Sequence, residues 1–180
     1  DGVAAQASTI TNVPISNGES FTYTQDAPMD DGANTVTVDA TDNDGNAATQ
    51  QETTFTVDTI APALNVTSPA NGSITNTATA VVTGTTNDAT SSPVTVSISL
   101  NGTDQGAVTV ESNGSFSKTI TLAEGSNTIA VTSADQAGKS TTVTITVTLD
   151  TSVPVIQSAT ITPNPADTGD SVIISVVIVE

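Results

Sequence analysis

With neither histidine nor cysteine among its 180 residues, this chain can do chemistry only through oxygen and two amines. Zinc sites, thiolate nucleophiles and imidazole bases are excluded together. What it has in abundance is acid: 19 Asp and Glu against 2 Lys, a net charge of −17. The oxygen-bearing residues worth singling out are Asp58, Asn87, Asp88 and Asp135, and a second set of Asp42, Asp44, Asn46 and Asp150. Carboxylate and amide oxygens suit Ca2+, which takes roughly six to eight of them in irregular geometry, better than Mg2+. The run Asp42-Asn43-Asp44-Gly45 is also what a tight turn wants, and no Glu follows at EF-hand spacing. The central set is the poorer one, with Ala137 and Lys139 where the other has Asp44 and Asn46.

Other chemistry has thin support. Paired carboxylates such as Asp30 and Asp31, or Asp42 and Asp44, could serve hydrolysis of a glycosidic bond. Aromatic residues make up only 2% of the chain, so no ring-lined cleft surrounds them, and an enzyme is not expected. A sugar-binding module would lean on Tyr23 alone, since Phe21, Phe55 and Phe116 stand at core positions. Lys118 shares parity with Phe116, Ile120 and Leu122, which suits either a Lys–Asn isopeptide crosslink or a rim amine whose stem packs. Asn65, Asn71, Asn101 and Asn113 each open an Asn-x-Ser/Thr sequon, a pattern that Asn-Gly turns also generate by composition. The acidic balance repels phosphate backbones and anionic lipid, so neither nucleic acid nor membrane insertion is expected.

The elements that must position these residues repeat. Ser115 to Pro154 has a second copy upstream at Ser20 to Pro62, pairing Phe116 with Phe21, Asn127 with Asn34, Asp135 with Asp42, Gly138 with Gly45 and Asp150 with Asp58. A spacing of about ninety residues is the size of one small sandwich domain. Alternation of period two dominates, so the fold class is all-β. In the central unit the strands read as A (Leu64, Val66), B (Ala78 to Gly84), C (Val94 to Leu100), a strand through Val108 and Val110, E (Phe116 to Leu122), F (Ile129, Val131) and G (Val143 to Leu149). Seven short strands with one apolar and one Thr/Ser face describe an immunoglobulin-like sandwich. Thr keeps strand propensity on the wet face without adding apolar surface. In such a sandwich the chain enters at the end bearing the B–C and F–G loops, so Asp58 is expected to meet Asn87, Asp88 and Asp135.

The expected organisation is tandem immunoglobulin-like β-sandwiches, one complete unit flanked by two partial ones. Residues 1–58 carry the later strands through G, 59–150 a whole domain, and 151–180 strands A (Ile156 to Thr162) and B (Ser171 to Val179) of a further one. Asp1 reads as a cut or processed end. A half sandwich with a bare apolar face is not stable alone. The chain is then either a window on a longer array, or its last strands complete the first half-domain of the next copy in a head-to-tail filament. The window is the simpler arrangement, because a join of Glu180 to Asp1 lacks an equivalent of strand C.

The run Gly114-Ser115-Phe116, Glu124-Gly125-Ser126-Asn127-Thr128-Ile129, Asp135-Gln136-Ala137-Gly138 and Asp150-Thr151-Ser152-Val153-Pro154 resembles the bacterial Ig-like repeats of giant surface adhesins and related extracellular or phage-borne proteins. That resemblance implies a non-enzymatic stalk or filament module at the cell or virion surface. It also implies Ca2+ at domain junctions, held by linker and F–G loop Asp residues, with Asp150 serving the junction to a neighbouring unit. The partners implied are neighbouring copies or adjacent repeats, with a glycan or surface receptor as the alternative target.

Overall fold

The structure is a computed structural model describing residues 28–180 together with Ser20, Thr22 and Thr24. Strand E of the first copy, with Phe21 and Tyr23, and the end at Asp1 lie outside the described residues. Among those residues there are twelve strands and no helix: β1 (Gly32–Val38), β2 (Gln51–Val57), β3 (Ala63–Ser68), β4 (Ser73–Thr75), β5 (Thr79–Asn87), β6 (Thr95–Leu100), β7 (Thr103–Asp104), β8 (Ser115–Thr121), β9 (Gly125–Ala134), β10 (Ser140–Leu149), β11 (Val155–Thr162) and β12 (Ile173–Val179).

The central unit is two sheets face to face, β3-β5-β8 and β4-β10-β9-β6-β7. Inward residues follow the alternation of the sequence. Val82 from the first sheet meets Ile98, Ile129, Val131 and Val147 from the second, each 2% exposed or less. Phe116 and Ile120 close the same cluster. At about 25 cal/mol per Å2, burial of such side chains contributes roughly 1.5–3 kcal/mol apiece. Gly84 faces inward on β5 beneath the Phe116 ring, where an added Cβ would stand 2.5 Å from Cζ. The missing side chain makes room for the unit's largest core residue.

Asn127 is wholly buried and ties the turn before β9. Its Oδ1 accepts from Ala123 N at 2.9 Å, and its Nδ2 donates to the Ala123 and Gly125 carbonyls at 2.7 and 2.9 Å. Asn34 repeats the device at the start of β1, donating to the Asp30 and Gly32 carbonyls at 2.9 and 3.0 Å. Buried amides of this kind supply the backbone partners that a tight turn otherwise lacks.

Two features depart from the sequence reading. Val108 and Val110 are not a paired strand; the edge strand is β7, and Val110 makes only an isolated bridge with Phe116. The chain crosses there from the five-stranded to the three-stranded sheet, so those residues pack partly against the core instead of joining a ladder. The second is β4, which runs parallel to β10 and moves the start of the domain from one sheet to the other after Asn71-Gly72. Three residues are too few to show a period.

The flanking elements are hairpins. β1 pairs with β2 from Gly32↔Val57 to Val38↔Gln51. β11 pairs with β12, and every residue of both is exposed. Phe55, at the inward parity of β2, is 38% exposed where Phe116 is 3%.

Candidate metal centre

The central site is built at the end of the sandwich where the chain enters. Asp58 follows β2 in the linker, Asp88 follows β5, and Asp135 follows β9. One carboxylate oxygen from each lies within 4.8 Å of the other two. That separation is about twice a Ca–O distance, which is what ligands across one ion require. Asp88 and Asp135 are each 8% exposed, and Asp58 is half-buried.

Local backbone fixes each carboxylate through Oδ1. Asp88 accepts from Thr90 N and Ser91 N, both at 2.8 Å; Asp135 accepts from Lys139 N at 2.9 Å; Asp58 accepts from Ile60 N at 3.0 Å. Ser91 Oγ in turn accepts from Ala137 N at 3.0 Å, tying the B–C loop to the F–G loop. The second oxygens of Asp58 and Asp135 are buried and without any hydrogen-bond partner. Burying a polar atom unpaired is costly, and three like charges this close repel by about 3–4 kcal/mol per pair at an effective dielectric of about 20. The donor set therefore fits a hard divalent cation: oxygen only, convergent and missing a positive partner. Lys139 offers this site its backbone N–H, while its side chain is exposed.

Asn87 ends β5 opposite Ala63 and is exposed. Asp42, Asp44 and Asn46 share one exposed turn closed by the Thr41↔Ala47 bridge. There Asp42 Oδ1 accepts from Asn46 N at 2.8 Å and Asp44 N at 3.0 Å, and Oδ2 accepts from Asn46 Nδ2 at 2.7 Å. The Asn46 side chain, then its backbone N–H, holds the Asp42 carboxyl below its ordinary range. Asp42 and Asp135 thus make the same bond to the residue four further on. They differ in the second oxygen, which Asn46 occupies in one copy and nothing occupies in the other. Asp150 is at the second linker, its Oδ1 accepting from Ser152 N at 3.0 Å and from the Ser152 hydroxyl. Those bonds, the hydroxyl's first, lower its pKa.

A feature the sequence reading missed joins each linker to the turn before it. Asp31 Oδ1 accepts from Thr59 N at 2.7 Å and Thr59 Oγ1 at 3.0 Å. Glu124 accepts from Thr151 N at 3.1 Å and Thr151 Oγ1 at 2.8 Å. Both acids precede the Gly that opens a strand, and both Thr follow the linker Asp. The signal was present as Asp/Glu-Gly-x-Asn and Asp-Thr in both copies.

The remaining candidates are placed as follows. Lys118 is half-buried and donates from Nζ to the Ala107 carbonyl at 3.0 Å. Asn71 Oδ1 accepts from Thr146 N, Asn113 Oδ1 from Ser115 N, and Asn101 Nδ2 donates to Asn127, so three of the four sequon amides hold turns. An open groove beside the triad, reaching from Leu64 through Asn87 and Pro93 to Asn113, has no aromatic ring in its lining on which a sugar could stack.

Sandwich, duplicated turns and linker carboxylates recur at the spacing of one Ig-like domain. Residues 3–59 match the family described as "Bacterial Ig-like domain". Through residues 62–151, half of its length, the chain belongs to the family "Glucodextranase, domain B". Among solved structures it is similar to the fibronectin(III)-like modules of Clostridium thermocellum CbhA, at 18% identity and a TM-score of 0.44, covering 66% of this chain and 63% of that one. It is also similar to a tetra-tandem repeat in the extending region of a large adhesion protein, at 23% identity and a TM-score of 0.45, covering 84% of this chain and 46% of that one. The chain therefore spans less than two thirds of either structure. No curated protein matches it. Among the described residues no helix is long and apolar enough to cross a membrane.

Proposed function

We propose that this chain is a non-catalytic segment of an extracellular stalk, in which Ca2+ at the junctions between Ig-like repeats suppresses hinge motion. The observation that carries this reading is the Asp58–Asp88–Asp135 triad, with two of its oxygens buried and unpartnered. Asp58 belongs to the linker while Asp88 and Asp135 belong to the following domain. A cation held by all three removes freedom between units and offsets their mutual repulsion. The candidate carboxylate pairs for hydrolysis are engaged structurally: Asp31 holds the linker, and Asp42 holds its own turn. Strands of adjoining repeats cover the exposed faces of β1–β2 and β11–β12.

The test is thermal unfolding and small-angle scattering of the chain in Ca2+ and in EDTA. Ca2+ is expected to raise Tm, by mass action on the folded state, and to lengthen the particle. Asp58→Asn and Asp135→Asn abolish both responses. Equal curves in Ca2+ and EDTA would overturn the reading.

A further inference from the structure

We propose that Asn101 is the site at which the folded chain modifies itself by deamidation, with the buried amide of Asn127 setting the rate; the inference is independent of the calcium reading. Asn-Gly pairs suit this reaction because glycine has no side chain to shield the attacking nitrogen. Three lie among the described residues: Asn71-Gly72, Asn101-Gly102 and Asn113-Gly114. All three asparagines are exposed, so access alone does not separate them.

The reaction needs two groups free at once. The Gly nitrogen loses its proton to a solvent base and attacks the Asn Cγ; a C–N bond closes a five-membered succinimide, the bond from Cγ to Nδ2 breaks, and ammonia leaves. Water then opens the ring at either carbonyl, leaving an aspartyl or an isoaspartyl residue. Nothing but water is consumed. A Gly N–H bonded to a carbonyl is not presented to base, and an amide held by hydrogen bonds does not turn towards the nitrogen.

At two of the pairs the nitrogen is occupied. Gly72 N donates to the Thr146 carbonyl and Gly114 N to the Glu111 carbonyl, both at 2.8 Å. Asn71 Oδ1 also accepts from Thr146 N at 2.9 Å, and Asn113 Oδ1 from Ser115 N at 3.0 Å. Asn101-Gly102 differs. It is the two-residue turn joining β6 to β7, with φ of 50° and 81°, both positive as a type I′ turn requires. Pairing falls on Leu100 and Thr103, so the exposed Gly102 N–H is left without an acceptor among the described residues. Only the side chain of Asn101 is restrained. Its Oδ1 accepts from Thr128 N at 2.8 Å, and its Nδ2 donates to Asn127 Oδ1 at 3.1 Å. Asn127 has no exposure and is itself bonded to Ala123 and Gly125, so it is a fixed anchor for the Asn101 amide.

Release of one side chain is therefore enough at Asn101, whereas Asn71 and Asn113 must also give up a backbone bond. The product acts back on the fold. An isoaspartyl residue adds a carbon to the backbone of a two-residue turn, and either product puts an acceptor where Nδ2 donated to Asn127.

The experiment is incubation of the chain in mildly alkaline heavy-oxygen water, with peptide mass spectrometry reading the label at each of the three sites, for wild type, wild type in urea, and Asn127→Ala. In the folded wild type, product at position 101 is expected to form about fivefold faster than at 71 or 113, the worth of one hydrogen bond. In urea the three rates converge. Asn127→Ala is expected to raise the rate at 101 by about a further fivefold relative to the other two, which serve as internal controls for loss of stability. Asn71 or Asn113 leading in the folded chain, or no label at 101 while the unfolded chain converts fully, overturns the site. All three rising together in Asn127→Ala overturns the role of Asn127.

Discussion

Asn127 and Asn34 show how much a single amide can carry in a chain with few large side chains. Each sits buried at the start of a strand and bonds backbone groups of the turn before it. Replacing Asn127 by Ala removes its bonds to the Ala123 N–H and to the Ala123 and Gly125 carbonyls. The expected loss is about 2–4 kcal/mol in the unfolding free energy of the central unit, measured by urea denaturation. Asn127 was visible in the sequence as a repeated position, but its role was not, because a buried polar residue leaves no periodic trace. The opposite holds for Asp58, Asp88 and Asp135. Their types excluded soft-metal chemistry, and the sandwich topology placed them at one end, so their convergence could be argued from the chain alone. Asn87 was grouped with them as a residue of the B–C loop; it ends β5 and is exposed.

At the scale of elements, linker direction is set by the Asp31–Thr59 and Glu124–Thr151 contacts before any ion is considered. The Thr59 backbone N–H is the main cause of the lowered Asp31 pKa. A carboxyl depressed in the folded state stabilises it above the ordinary value of 3.8 and loses that contribution as pH falls through the lower folded value. Protection of the Thr59 amide from hydrogen exchange is accordingly expected at neutral pH and lost on acidification below 3.8. Asp31→Ala removes it at every pH, and Glu124→Ala does the same to Thr151, with or without Ca2+. Persistent Thr59 protection in Asp31→Ala would show that the linker is held some other way. The main strands of the central sandwich were legible because their Val/Thr alternation is uninterrupted. β4 and β7 were not, being edge pieces of three and two residues whose pairing is set by the sheet they join. Val108 and Val110 misled for the same reason: alternation shows an inward face, not a partner strand.

For the whole molecule, the decisive surface is β12, where Ile173, Ile174, Val176, Val177, Ile178 and Val179 are 44–68% exposed. In the central unit the equivalent strand, β5, buries its inward residues against the opposite sheet, and Val82 has no exposure at all. The expected repeat organisation makes β11–β12 the opening strands of one sandwich and β1–β2 the closing pair of another. The proposed stalk covers them with strands of adjoining repeats; the alternative is a second copy. Strand exchange between copies has to supply every strand, and among the described residues neither hairpin provides a counterpart of β6, which lies beside β9 in the larger sheet. The chain studied by itself is therefore expected to bind the apolar dye ANS through β11–β12 and to form no regular filament. Truncation after Asp150 removes most of the dye signal while leaving the cooperative unfolding of the central unit in place, since no core residue lies beyond Leu149. Light scattering and negative-stain microscopy decide the matter. Uniform filaments that vanish on that truncation would mean a neighbour's closing strands do pack on β12, and would make the chain a self-assembling subunit instead of a length of stalk.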